Sequence, residues 1–107
     1  STASNNTAVG RSALYAYTTG DTNCAFGKDS LIALTTGTNN IAVGQGSGKA
    51  ITSGATNICI GDIGGDNITD GDQNILIGYQ NRTASSGSDR NINGKKKKIF
   101  LIHKTHM

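Results

Sequence analysis

Residues 39–44 read NNIAVG, and residues 5–10 read NNTAVG. Midway between the two copies, residues 23–27 read NCAFG. Asn recurs at 6, 23, 40, 57, 74 and 91, an unbroken spacing of 17. A Gly series keeps the same step at Gly10, Gly27, Gly44, Gly61 and Gly78, and a second runs Gly20, Gly37, Gly54 and Gly71. Written as one unit, the consensus is N-[TCI]-A-[VFI]-G-x-x-[AS]-L-x-A-x-T-T-G-x-x, and five copies follow one another without insertion. Three independent columns sharing one step mark a repeat architecture, in which each unit is one supersecondary element stacked on its neighbours.

Column chemistry selects the kind of unit. Between each Asn and its Gly lie Thr7-Ala8-Val9, Cys24-Ala25-Phe26, Ile41-Ala42-Val43, Ile58-Cys59-Ile60 and Ile75-Leu76-Ile77. The outer positions are mostly β-branched or large and the middle one mostly small, which is the two-residue alternation of a strand. A helix is disfavoured because each unit holds two Gly, and an interior Gly costs a helix about 1 kcal/mol. The second apolar patch of each unit, at Tyr17, Leu34, Ile51 and Ile68, predicts a second short strand. Two strands and two Gly-bearing turns on a 17-residue step describe one coil of an all-β parallel β-solenoid. Coils stacked at about 4.8 Å turn each column into a ladder of like residues. The Asn column, from Asn6 to Asn74, is then a buried amide ladder. The Gly columns, Gly10 to Gly78 among them, mark places that need positive φ or leave no room for a side chain.

Composition and charge fit this reading. Leu, Ile, Val and Phe together make only 21 of 107 residues, and Pro, Trp and Glu are absent. So few apolar side chains support a fold only if they are placed with regularity, and stacked coils sharing one thin core do that. The formal charge of +3 is uneven. Residues 1–94 carry two Lys and three Arg against seven Asp, whereas residues 95–107 add five Lys. No apolar run reaches membrane-spanning length and no signal peptide is visible, so no membrane insertion is expected.

The units NNTAVGRSALYAYTTG, NCAFGKDSLIALTTG and NNIAVGQGSGKA resemble the N-T-A-[VI]-G-x-x-A-L…T-T-G repeats of bacterial and viral surface fibres. They are also similar to the [SV]-x-A-[IV]-G head repeats of trimeric autotransporter adhesins. The resemblance covers residues 4–80 and implies a left-handed β-roll, usually a homotrimer. It also implies an attachment or structural role on a cell surface, on a virion or elsewhere outside the cell. Three departures qualify it. The 17-residue step is longer than the compact autotransporter coil, and coils from residue 62 onward lose the Ala-Leu half. No stalk, membrane anchor or C-terminal chaperone is recognisable, so trimerisation comes from the resemblance rather than from these residues.

Candidate sites are few. Asp62, Asp66, Asp70 and Asp72, in and beside GGDNITDGD at 64–72, offer hard oxygen ligands for Ca²⁺, but a calcium roll needs consecutive copies of such a motif. A metal is therefore not expected, with these aspartates the only calcium candidates. Thr18, Thr35, Thr52 and Thr69, continued by Ser86, stand beside Thr19, Thr36 and Ser53 as hydroxyl columns. Such columns suggest an ice-binding face, against which stands turn capping by the hydroxyls. GQGSGK at 44–49 resembles a phosphate loop but has Val43 and Ala50 where that motif needs Gly and Ser or Thr, so its glycines are assigned to the turn. Cys24 and Cys59 fall in different columns two coils apart, too far for a disulfide, and are expected as two free buried thiols. The only histidines, His103 and His106, lie on the basic tail, and no Ser or Cys sits in a nucleophile context. Neither an enzyme nor a cofactor is expected. Asn5, Asn67 and Asn81 satisfy the N-x-[ST] pattern, which matters only in a glycosylating secretory pathway.

The expected organisation is a solenoid over residues 1–90, with coils opening at Asn6, Asn23, Asn40, Asn57 and Asn74. Residues 91–107 form a degenerate last coil and a basic, apolar C-terminal strand. There Ile99, Phe100, Leu101 and Ile102 follow four lysines and form a possible assembly strand, the lysines guarding against indiscriminate edge pairing. No nucleic-acid partner is expected, because aromatic and basic residues do not interleave. Open solenoid ends expose unpaired backbone, which points to self-association as a trimer or end-to-end filament. The function expected is a non-enzymatic, adhesin-head-like fibre module outside the cell, with a host surface or matrix component as a further possible partner. The alternative is a ligand-binding solenoid, for ice or calcium.

Overall fold

The computed structural model describes residues 3–16, 19–81 and 87, and the backbone of 92–94. It is an all-β solenoid. Six three-residue strands, β1 (Thr7–Val9), β2 (Cys24–Phe26), β3 (Ile41–Val43), β4 (Ile58–Ile60), β5 (Ile75–Ile77) and β6 (Ile92–Gly94), lie in one parallel sheet in chain order. Every pairing joins residues 17 apart, as in Cys24 to Ile41 and Phe26 to Val43. The repeat step is thus the coil step. β6 continues the sheet in register, with Asn93 beside Leu76 and Gly94 beside Ile77, although its sequence departs from the repeat.

Among the described residues the second strand does not form. Leu34, Ile51 and Ile68 are fully buried but lie in irregular backbone just before a bend, and Tyr17 falls outside the described residues. Tight cornering explains the difference. The N–H groups of Thr35, Thr36 and Gly37 all converge on the Thr52 carbonyl, and those of Thr52, Ser53 and Gly54 converge on the Thr69 carbonyl. Three successive donors aimed at one acceptor bend the chain where a strand would spread them along a ladder. Each coil also carries left-handed residues at several corners, among them Asp29 (φ 61°), Leu31 (φ 50°) and Asn39 (φ 58°). Neither Leu31 nor the β-branched Thr56 (φ 60°) and Ile63 (φ 58°) favours that region, and each such residue costs about 1–2 kcal/mol.

The Asn column supplies the compensating bonds. Asn40 is fully buried and uses every polar group of its side chain. Its Nδ2 donates to Asn23 Oδ1 (3.1 Å) and to the Gly54 carbonyl (2.8 Å). Its Oδ1 accepts from the N–H (3.0 Å) and the Nδ2 (3.1 Å) of Asn57. The same pattern links Asn6 to Asn23, Asn23 to Asn40 and Asn57 to Asn74. Asn23, Asn40 and Asn57 therefore tie their own coil to both neighbours, and with Asn6 they hold the carbonyls of the second Gly column, from Gly20 through Gly71.

The two Gly columns are glycine for different reasons. Gly10, Gly27, Gly44, Gly61 and Gly78 each follow a strand directly, and all five keep positive φ. Their stacking is tight: at Gly44, with φ 127°, a Cβ would lie 2.5 Å from the Gly61 carbonyl oxygen. The N–H groups of Gly27, Gly44, Gly61 and Gly78 donate back to the last strand residue of the coil below, from Val9 to Ile60, so this column also ties coil to coil. Gly37, by contrast, has no left-handed φ, yet a Cβ on it would collide with the Gly54 carbonyl oxygen. One column needs glycine for conformation and space, the other for space alone.

The core is narrow. It consists of the middle strand residues Ala25, Ala42, Cys59 and Leu76, the corner residues Leu14 and Leu31, and the bend residues Leu34, Ile51 and Ile68. Where the Leu31 column becomes Gly48 and Gly65, neighbouring side chains use the space: a Cβ on Gly65 would meet Cys59 Sγ at 2.5 Å. Ser30 and Ser47, buried beside this core, donate to the Ala42 (3.2 Å) and Cys59 (2.6 Å) carbonyls.

Candidate functional site

Because the middle residue of β2–β5 is buried, at Ala25, Ala42, Cys59 and Leu76, the two outer residues of each strand point out. One outward column holds Thr7, Cys24, Ile41, Ile58 and Ile75, and the other holds Val9, Phe26, Val43, Ile60 and Ile77. Phe26 is 53 % exposed, Val9 47 % and Ile41 42 %; Ile58, Ile60 and Ile75 are half-buried. Strand pairing sets these side chains one above another, so that, Thr7 apart, they form a contiguous apolar surface over β1–β5. Single exposed apolar residues are ordinary, but a contiguous patch of this kind marks an interaction surface.

The two rims of the face differ. Beyond the Val9–Ile77 column, past the glycines from Gly10 to Gly78, runs the series Arg11, Lys28, Gln45, Asp62 and Tyr79, exposed or half-buried. On the other side runs Asn5, Thr22, Asn39, Thr56 and Gln73, uncharged and all at positive φ. One rim thus carries charge and the other does not. Alternation within the strands announces two faces but not which is inward. The available signal was the separate Leu column and bend column, which with Ala already fill so narrow an interior.

The predicted ligand residues are placed otherwise. The Thr35 and Thr52 hydroxyls donate to the Thr52 and Thr69 carbonyls (both 3.3 Å), so these columns cap the turn. Thr69 Oγ1 is 3.4 Å from Asp70 Oδ1. Thr18 and Ser86 lie outside the described residues. In the neighbouring column Thr36 and Ser53 are exposed. The four aspartates considered for calcium take separate places. Asp62 sits on the charged rim and Asp66 in the following turn, Asp70 lies beside the Thr column, and Asp72 Oδ1 accepts the Ala55 N–H at 2.8 Å. Among the described residues no three acidic, His or Cys side chains converge to hold a metal ion. The glycines of GQGSGK form the turn after β3, with Gly46 and Gly48 at positive φ.

Both cysteines are free, but only Cys59 is buried, and burial pushes its thiol up to about 12. Cys24 belongs to the outward face and is half-buried, because its strand position is an outer one. Ile99, Phe100, Leu101, Ile102, His103 and His106 lie outside the described residues. Among those described, no helix is long and apolar enough to cross a membrane. Comparison with family models, curated proteins and solved structures gives no match to this chain.

Proposed function

We propose that this chain is a non-enzymatic structural module of an extracellular or virion surface fibre, adhesin-head-like, that assembles with copies of itself. The observation carrying this is the unpartnered apolar sheet face, which extends over five rungs. Five rungs at about 4.8 Å and a width of about 20 Å including the rims give at most about 500 Å² per copy. A pair clasped through this face alone would bury about 1,000 Å² in total, below the roughly 1,200–2,000 Å² of stable interfaces. A homotrimer with the face turned to its axis encloses three such faces, about 1,500 Å² in total, around one shared core. End-to-end stacking of coils extends the same module into a filament.

Orientation follows from the same comparison. An antiparallel pair would set Lys28 opposite Asp62, but exposed ion pairs contribute only about 0–1 kcal/mol each, and this arrangement leaves a single seam. In a parallel ring the charged rim of one copy meets the uncharged rim of the next, with no like charges opposed. The outward columns away from this face remain available to a host surface or matrix component. Sedimentation equilibrium from micromolar to millimolar concentration tests the proposal. A mass of three chains, or larger filaments, is expected; a monomer throughout that range overturns it.

A further inference from the structure

The second coil breaks the evenness of the face. Cys24, the smallest apolar side chain of its column, lies between Thr7 and Ile41, and Phe26, the largest of the other, lies between Val9 and Val43. Both side chains point outward on one strand, with the Phe26 ring more than half exposed. The result is a ridge and a notch side by side at the same height. No other layer of β1–β5 has this mismatch: Ile58 stands beside Ile60, and Ile75 beside Ile77.

Resting on the self-assembly proposed above, we infer that this layer sets the register between neighbouring copies, the Phe26 ring of one protomer filling the notch at Cys24 of the next. Symmetry limits how two such faces meet. A rotation about an axis parallel to the solenoid keeps every coil at its own height and presents one outward column to the other. Phe26 then faces Cys24, and the layer repeats the same contact around the ring. An antiparallel two-fold centred on the third coil instead sets Cys24 against Ile58 and Phe26 against Ile60, so the ridge meets a second large side chain. A slip of one coil sets Phe26 against Thr7 or Ile41. Only the parallel, unslipped seam seats the ridge in the notch. A buried aromatic anchor in a matching recess is the usual centre of such an interface. Cys24 is there as a small apolar side chain, which accounts for a free thiol on an outward face.

The test places a thiol at the ridge. Phe26→Cys is first shown by sedimentation to assemble under reducing conditions, then oxidised with diamide and run on a non-reducing gel. The expected product is a closed covalent ring, each introduced thiol joined to Cys24 of its neighbour, whose size gives the subunit number. Ile58→Cys treated the same way is expected to stay uncross-linked. Cross-linking of Ile58→Cys, or its absence from assembled Phe26→Cys, overturns the inference. A second variant does not depend on disulfide geometry. Cys24→Phe fills the notch and is expected to weaken assembly at least about tenfold, with restoration when Phe26→Cys is added in the same chain. Cys24→Phe assembling as tightly as the unaltered chain also overturns it. If the unaltered chain is monomeric, the self-assembly reading itself fails; if it assembles but these variants behave otherwise, only the register is wrong.

Discussion

Asn40→Ala removes one rung of the amide ladder, and its cost follows from the bonds it breaks. Three buried groups lose their partner: the N–H and one Nδ2 hydrogen of Asn57, and the Gly54 carbonyl. Asn23 Oδ1 keeps its bond from the residue 40 N–H at 2.9 Å and loses the second donor. At about 1–3 kcal/mol for each orphaned group, the loss is about 3–6 kcal/mol, the upper end reduced by any water that enters the vacated space. Total stability for a domain this size is about 5–15 kcal/mol, so the variant is expected to lie close to unfolding. Urea denaturation followed by far-ultraviolet circular dichroism measures it, with Gln45→Ala, on the rim, as a control expected within about 0.5 kcal/mol. A loss below about 1 kcal/mol for Asn40→Ala would refute the ladder as the main tie between coils. Asn40→Asp adds a pH arm. Its carboxyl keeps the acceptor for Asn57 but faces Asn23 Oδ1 and the Gly54 carbonyl, and burial among acceptors raises its folded pKa above the unfolded value. A group shifted that way adds stability below its unfolded pKa and loses it as pH rises through the folded one. Asn40→Asp should therefore be strongest in acid, relative to the unaltered chain, and weakest at neutral pH.

Three further outcomes follow from neighbouring columns. Gly37→Ala drives a Cβ into the Gly54 carbonyl oxygen and to 2.8 Å from Leu34 Cδ1; a loss of about 3 kcal/mol or more is expected in the same urea assay. Thr56→Asn puts at φ 60° the residue type already found at Asn5 and Asn39 in that column, and should gain about 0.5–1 kcal/mol, read as a rise in melting temperature. Alkylation at pH 8, located by mass spectrometry, should mark Cys24 in the dissociated protein. Cys59, pushed up to about 12 by burial, holds about one thiolate in ten thousand there and should label only on unfolding.

The 17-residue step made the coil, the parallel sheet, the amide ladder and the positive-φ glycines from Gly10 to Gly78 legible, because in a solenoid a sequence column is a spatial column. Two features were not legible, for different reasons. Leu34, Ile51 and Ile68 read as a strand, yet the N–H groups that follow Leu34 and Ile51 gather three to a carbonyl and turn the chain. The chain comes to these bends through left-handed corners, at Leu31 in one coil and at Gly46 and Gly48 in the next, and a Leu side chain gives no hint of positive φ. The outward apolar face was hidden by a general expectation that larger residues go inside. Here the interior takes Ala25, Ala42 and Cys59 from β2–β4, and the larger neighbours Phe26, Ile41 and Ile58 lie on the outer face. Cys24 illustrates the consequence: expected as a core thiol, it lies on the surface that copies of the chain are proposed to share.

Cryo-electron microscopy of the purified protein tests that central proposal most directly. Parallel solenoids with Ile41, Ile58 and Ile75 turned toward a common axis, as three-fold particles or as filaments built from them, are the predicted result. Single solenoids, or assemblies in which this sheet face points to solvent, would contradict it.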